Sequence, residues 1–117
     1  MSKPMIYIAH PYGGNENNKL AAEEVMKDLV ANDSRHVYFS PIHNFGMVYF
    51  EKEYETGLEI CLSALERCNG LVLCGDWRNS KGCIGEWAYA KAKNIKIYTL
   101  KDWKNKFNQK EDKGANS

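Results

Sequence analysis

The 117-residue sequence predicts an α/β domain: a parallel sheet of four to five strands with helices on both faces. Three observations carry that expectation. Short apolar runs rich in β-formers recur along the chain, stretches of helical period separate them, and each run ends in a loop of Gly, Pro, Asn, Asp or Ser. Strands that alternate with helices pair in parallel, and a parallel sheet needs cover on both faces. Right-handed crossovers then give a small flavodoxin-like or Rossmann-like three-layer sandwich.

Each element has its own signal. "MIYIA" (Met5–Ala9) reads as a buried strand that stops at "HPYGG". Leu20, Ala21, Val25, Met26, Leu29 and Val30 then recur at helical spacing, which predicts a helix from about Glu16 to Ala31. "HVYFS" (His36–Ser40) is a second strand, closed by Pro41, which cannot donate to a ladder. The aromatic segment Ile42–Tyr54 has no clear period and is expected to be a loop that becomes helical. From about Tyr54 the stripe Leu58, Cys61, Leu62, Leu65 and Cys68 predicts a helix that stops at "NG". "LVLC" (Leu71–Cys74) is the third strand. After the loop "GDWRNSKG" come a helix over about Cys83–Lys93, stopped near Asn94, and a fourth strand in "IKIYTL". Residues 1–100 form the expected domain. Residues 101–117 are expected to be a short helix anchored by Trp103 and Phe107, then a polar tail that frays beyond about Gln109.

Composition narrows the function classes. Sixteen Lys plus Arg against fifteen Asp plus Glu leave a formal charge of +1, so no strong field favours nucleic acid or an acidic membrane surface. The expected partner is a small molecule. Cys61, Cys68, Cys74 and Cys83 include no C-x-x-C pair and no His at zinc-finger spacing, so neither a metal nor a cofactor is implied. No leader pattern and no membrane-length apolar run is present, which makes a cytoplasmic, thiol-reduced protein the simplest expectation.

In such a sheet, ligands bind outside the carboxyl ends of the strands, where the strand order reverses. Those ends carry "HPYGGNENN", "SPIHNFG" and "GDWRNSKGCIGE". In the first loop His10, Pro11, Tyr12, Gly13 and Gly14 lead into a helix start, and the glycines let backbone approach a ligand. The loop is neither G-x-G-x-x-G nor a Walker motif, so dinucleotide and P-loop readings lose support. In the third loop Ser80 can cap the following helix, and the N–H groups around Gly82 form a candidate phosphate cradle. Glu86 follows, between Gly85 and Trp87. From spacing alone, Glu86 either serves the start of its helix, through the dipole or a capping arrangement, or carries chemistry.

"IYIAHPYGG", "CNGLVLCGDWRNSKGCIGEWAYA" and the closing "IKIY" together resemble the nucleoside 2-deoxyribosyltransferase-like superfamily, in particular its small phage and bacterial members of unassigned function. The likeness runs from about Ile6 to Tyr98, and Ser80-x-Gly82-x-x-x-Glu86 is its most specific part. That superfamily includes deoxyribosyltransferases and 2'-deoxynucleoside 5'-monophosphate N-hydrolases and has a flavodoxin-like fold. The resemblance implies that Glu86 is the nucleophile, that Tyr7 orients it, and that Ser80 and Gly82 hold a 5'-phosphate. Gly13 and Gly14 match the family's first-loop glycines in a register one residue shorter. The resemblance also implies a homodimer or higher homo-oligomer.

The sequence departs from the family pattern in two places. Asn69 stands where an Asp is common before the third strand, and Cys74 where the transferases have an Asp. Asp76 is either the substitute acid that protonates the leaving base or a solvated turn residue. His10 and His43 are alternative donors, since an unperturbed imidazole titrates near neutral pH. Phe45, Tyr49 and Phe50 could stack on a base or pack against the core, and Trp77 and Trp87 could sit at the cleft mouth or in an interface. Two function classes follow: an enzyme of the N-glycosidic bond acting on a (deoxy)nucleoside 5'-monophosphate, or a non-catalytic module that binds a nucleotide to sequester or sense it.

Overall fold

The computed structural model describes residues 2–48 and 53–106 of the chain. Four strands, β1 (Met5–Ala9), β2 (Val37–Phe39), β3 (Gly70–Leu73) and β4 (Lys96–Thr99), form one sheet. All three pairings are parallel and the order is β2-β1-β3-β4. The chain therefore leaves β1 in one direction to build β2, then returns past it to build β3. The point where the order reverses lies between β1 and β3, in register Ile6 with Gly70 through Ala9 with Leu73.

Side chains on a strand alternate between faces, so each central strand serves two cores. Ile6, Ile8, Val72 and Cys74 face α1 (Glu16–Asn32), whose Val25, Met26 and Leu29 meet them together with Trp103. Tyr7, Ala9, Leu71 and Leu73 face α3 (Tyr54–Glu66) and α4 (Lys81–Ala92) through Leu65, Cys83 and Ala90. The result is the expected three-layer α/β sandwich, at the low end of the expected strand number.

Boundaries moved for local reasons. Ser40 leaves β2 and becomes the N-cap of α2 (Pro41–Phe45), with Pro41 at a first-turn position where its missing N–H costs nothing. A 3₁₀ turn over Gly46–Val48 follows, so part of the expected loop is helical from its start. Tyr49 and Phe50 lie outside the described residues. The helix α3 stops at Arg67 rather than at "NG", because Gly70 is already the first residue of β3. A second 3₁₀ turn spans Trp77–Asn79, and α4 starts at Lys81, two residues earlier than expected, because Ser80 caps it. Asn94, at φ 58°, ends the run beyond α4 as expected. Residues 100–106 are helical, and Trp103 is 1% exposed in the α1-side core, so the packed body reaches past residue 100. Phe107 and the tail lie outside the described residues. Among the described residues no helix is long and apolar enough to cross a membrane, and none of the four cysteines is in a disulfide.

Candidate active site

The site begins with a carboxylate in an apolar position. Cys83, Glu86 and Ala90 are the buried residues of α4, spaced as the core-facing stripe of a helix. Ser80 fixes the register of that stripe: its Oγ accepts from the Cys83 backbone N–H at 3.3 Å. Gly85 lets α3 lie against α4, since a Cβ there would stand 3.2 Å from Leu58 Cδ1. Glu86 is thus 5% exposed, and it makes no capping bond to its own helix start. Its partner comes from the sheet, where the phenol of fully buried Tyr7 donates to Glu86 Oε2.

Burial raises the Glu86 pKa from the usual carboxylate range to about 7, and the Tyr7 hydrogen bond opposes that shift. Tyr7 is pushed well above an ordinary phenol, first by burial and then by the adjacent carboxylate and Cys61. The Cys61 thiol is raised to about 11, again by burial first and by Glu86 second. Near neutral pH the phenol and the thiol therefore keep their protons. The carboxylate is the group of the three that changes charge there.

A cavity of about 460 Å³ opens onto Glu86, within the roughly 300–1,000 Å³ range of small-molecule sites. It lies at the carboxyl ends of β1 and β3, where the strand order reverses. One wall is the loop after β1, with His10, Pro11, Tyr12 and Gly13. A second is the first turn of α4, with Asn79, Ser80, Lys81, Gly82 and Cys83. The third is apolar: Pro41, Ile42 and Phe45 from α2, and Leu58, Ile60 and Cys61 from α3. A helix N-terminus therefore faces the cavity from one side and hydrocarbon from another, and Glu86 belongs to the same wall set.

Of the residues singled out in the sequence, His10, Pro11, Tyr12, Gly13, Ser80, Gly82 and Glu86 line this cavity, and Tyr7 reaches it through its bond to Glu86. Gly14 shares the loop, at φ 74°, without lining the cavity. Asp76 stands outside the wall and accepts from the Asn79 amide on both oxygens, each at 2.9 Å. His43 also stands outside, with Nδ1 2.7 Å from Ser40 Oγ and a buried Nε2 that has no hydrogen-bond partner among the described residues. Trp77 packs beside Trp87, ring centroids 6.4 Å apart, against the α3/α4-side core. Phe45 does line the cavity.

Sequence reasoning missed Cys61, Asn79 and Lys81. Cys61 was hidden because its spacing fits the apolar stripe of α3. Lys81 could have been found, since it sits next to a capping serine at the start of a helix.

The family whose profile this sequence matches, over residues 4–99, is described as a domain of unknown function, DUF4406. The chain belongs to that family. No curated protein matches the sequence. Among solved structures, the 2-deoxyribosyltransferase from the psychrotolerant bacterium Bacillus psychrosaccharolyticus shares the fold: TM-score 0.56, 21% identity, covering 81% of this chain and 70% of that one. The DUF4406 fold gives each of the two departures noted in the sequence a structural place. Asn69 sits at the amino end of β3, far from the cavity, where its Oδ1 accepts from Met5 N–H at 2.9 Å. Cys74 is buried in the α1-side core, on the opposite face of the sheet from Glu86. Among the described residues of this DUF4406 chain no group of side chains could hold a metal ion.

Proposed function

We propose that this DUF4406 protein breaks the N-glycosidic bond of a nucleoside or deoxynucleoside 5'-monophosphate, with Glu86 as the nucleophile. The observation that carries the reading is a carboxylate in the wall of an apolar cavity, held by one phenol and otherwise without a donor among the described residues. A carboxylate that served only stability would be surrounded by donors, because burying charge without partners is costly. The 2-deoxyribosyltransferase that shares the fold supports the same chemistry.

In this reading Glu86 attacks C1' of the sugar as the bond to the base breaks, forming an ester that water or a second base then resolves. Tyr7 fixes the rotamer of Glu86 and leaves the other oxygen to attack. The first turn of α4, with Ser80 and Gly82 and with Lys81 beside them, takes the 5'-phosphate on its N–H groups. The base lies toward the α2 and α3 wall.

The test is incubation with a panel of ribo- and deoxyribonucleoside 5'-monophosphates, followed by chromatography for free base. Base released by the protein and not by Glu86→Gln supports the reading. Recovery of every nucleotide intact, with a thermal shift for one of them, would instead establish a binding module.

A further inference from the structure

We propose that His10 is the general acid that protonates the departing base and the general base that then activates water. This rests on the N-glycosidase reading above and assigns the one proton that reading leaves without a donor.

Nucleobase nitrogen is a poor leaving group unless it gains a proton as the bond breaks. Few groups on the cavity wall can supply one. Glu86 is the attacking group. Asp76 is outside the wall, with both oxygens engaged by Asn79. Cys61, raised to about 11, holds its proton too firmly to donate at neutral pH. Tyr12 directs its hydroxyl to the Gly46 carbonyl at 3.2 Å. Lys81 belongs to the α4 turn assigned to the phosphate. His43 lies outside the wall.

His10 is both on the wall and oriented. Its Nδ1 is 2.8 Å from the Pro11 carbonyl. A carbonyl only accepts, so Nδ1 carries the hydrogen, and Nε2 is the edge that gains or loses a proton. No described residue hydrogen-bonds Nε2. The ring sits over Gly75, where a Cβ would stand 3.3 Å from Nε2, and Gly75 has φ 59°. A residue with a side chain at position 75 would be strained by that dihedral and would crowd the imidazole. His10 follows β1 and Gly75 follows β3, so the ring lies at the reversal point of the sheet, on the same cavity as Glu86.

The proton balance is complete without another reactant. Glu86 attacks C1', the C1'–N electron pair passes to the base nitrogen, and that nitrogen takes the proton from Nε2–H of the imidazolium. Neutral base departs, leaving the glycosyl ester and neutral His10. Water then gives a proton to Nε2 as its oxygen attacks C1', and the ester bond breaks to return the Glu86 carboxylate and the free sugar 5-phosphate. A second base would resolve the ester by losing its own N–H proton to the same nitrogen.

The experiment compares two leaving groups in His10→Gln and His10→Asn. One substrate is the best-cleaved monophosphate of the panel; the other is 4-nitrophenyl 2-deoxyribofuranoside 5-phosphate, whose nitrophenolate departs without a proton. Expected is a fall of about a hundredfold or more in kcat/KM for the nucleotide, with the burst of nitrophenolate unchanged and melting temperatures within a degree or two of the parent. Equal losses on both substrates would overturn the assignment, because His10 would then act in binding or folding. No loss on the nucleotide would overturn it as well. Glu86→Gln separates this from the parent reading, since it must abolish both reactions. If the parent protein cleaves neither substrate, the N-glycosidase reading itself is wrong.

Discussion

The sheet buries one acid–tyrosine pair on each face, and the two pairs are opposites. On the α1 side, Asp33 has a side chain 1% exposed and is crowded with donors: Tyr38 hydroxyl at 2.5 Å, His36 Nδ1 at 2.8 Å and the Arg35 backbone N–H at 2.9 Å, with Arg35 Nε at 3.4 Å. Trp103 extends the network by donating to the Tyr38 hydroxyl at 3.0 Å. On the α3/α4 side, Glu86 receives one phenol and borders a cavity. Burial raises both acids. Hydrogen bonds from Tyr38, Arg35 and His36 overcome it for Asp33, whose pKa falls below the ordinary range, whereas the Tyr7 bond leaves Glu86 at about 7. A satisfied carboxylate ties elements together; an under-satisfied one beside empty space is available to a substrate.

The contrast breaks first under amide substitution. Glu86→Gln keeps shape and removes the proposed nucleophile, so base release should fall at least about a thousandfold while the fold survives. Activity within tenfold of the parent, measured by chromatography, would remove Glu86 from the chemistry.

Stability against pH should separate the two acids in sign. Between about pH 4.5 and 7 folded Glu86 keeps a proton that the unfolded chain has released. The stability favouring the protonated form is complete below that window and is lost as pH rises through about 7, an effect of roughly 2–4 kcal/mol. Glu86→Gln should flatten this slope and be the more stable protein at pH 8. Asp33 has the opposite sign: its contribution is present above the ordinary Asp pKa and is lost as pH falls through its lower folded value. Urea melts from about pH 2 to 8 measure both, the Asp33 effect at the acid end, and a parent slope above about pH 4.5 that survives in Glu86→Gln would assign the effect elsewhere.

Asp33→Asn should reverse the pattern of the Glu86 variant. Replacing the charge weakens bonds from Tyr38, His36 and Arg35 together, at a cost of about 2–3 kcal/mol, while base release at a permissive temperature stays near that of the parent. A variant of parental stability would mean that the network is not needed to hold α1, β2 and the helix over residues 100–106 together.

The sequence revealed much of this architecture and little of the contrast. Periodicity placed β1, α1, β3 and α4 within a few residues, because a parallel sheet writes long apolar runs and its helices write amphipathic stripes. Ser80 as a cap was legible from its position before a helix. What joins the site was legible only through the family resemblance, which paired Tyr7 with Glu86, and not from period or spacing: the two are 79 residues apart, and the packing of α4 on the sheet brings them together. Cys61 looked like any stripe residue of α3. The Asp33 network was equally hidden, since Trp103 lies 65 residues from Tyr38 and beyond the expected domain end.

Tyr7→Phe makes the smallest and most informative change, because it turns the one-donor carboxylate into one with no donor among the described residues. The lost hydrogen bond was the influence lowering the Glu86 pKa, so burial acts unopposed and the pKa rises further. Activity that requires the carboxylate form should then climb with pH along a limb displaced upward from about 7. At neutral pH the rate should fall about ten- to thirtyfold, partly through the smaller carboxylate fraction and partly through a looser rotamer. Raising the pH should recover the first part and leave the second, so the two separate in a kcat/KM profile of parent and variant. An acid limb that stays in place would mean that Tyr7 positions Glu86 without tuning its charge, and the distinction between the two faces of the sheet would then rest on burial alone.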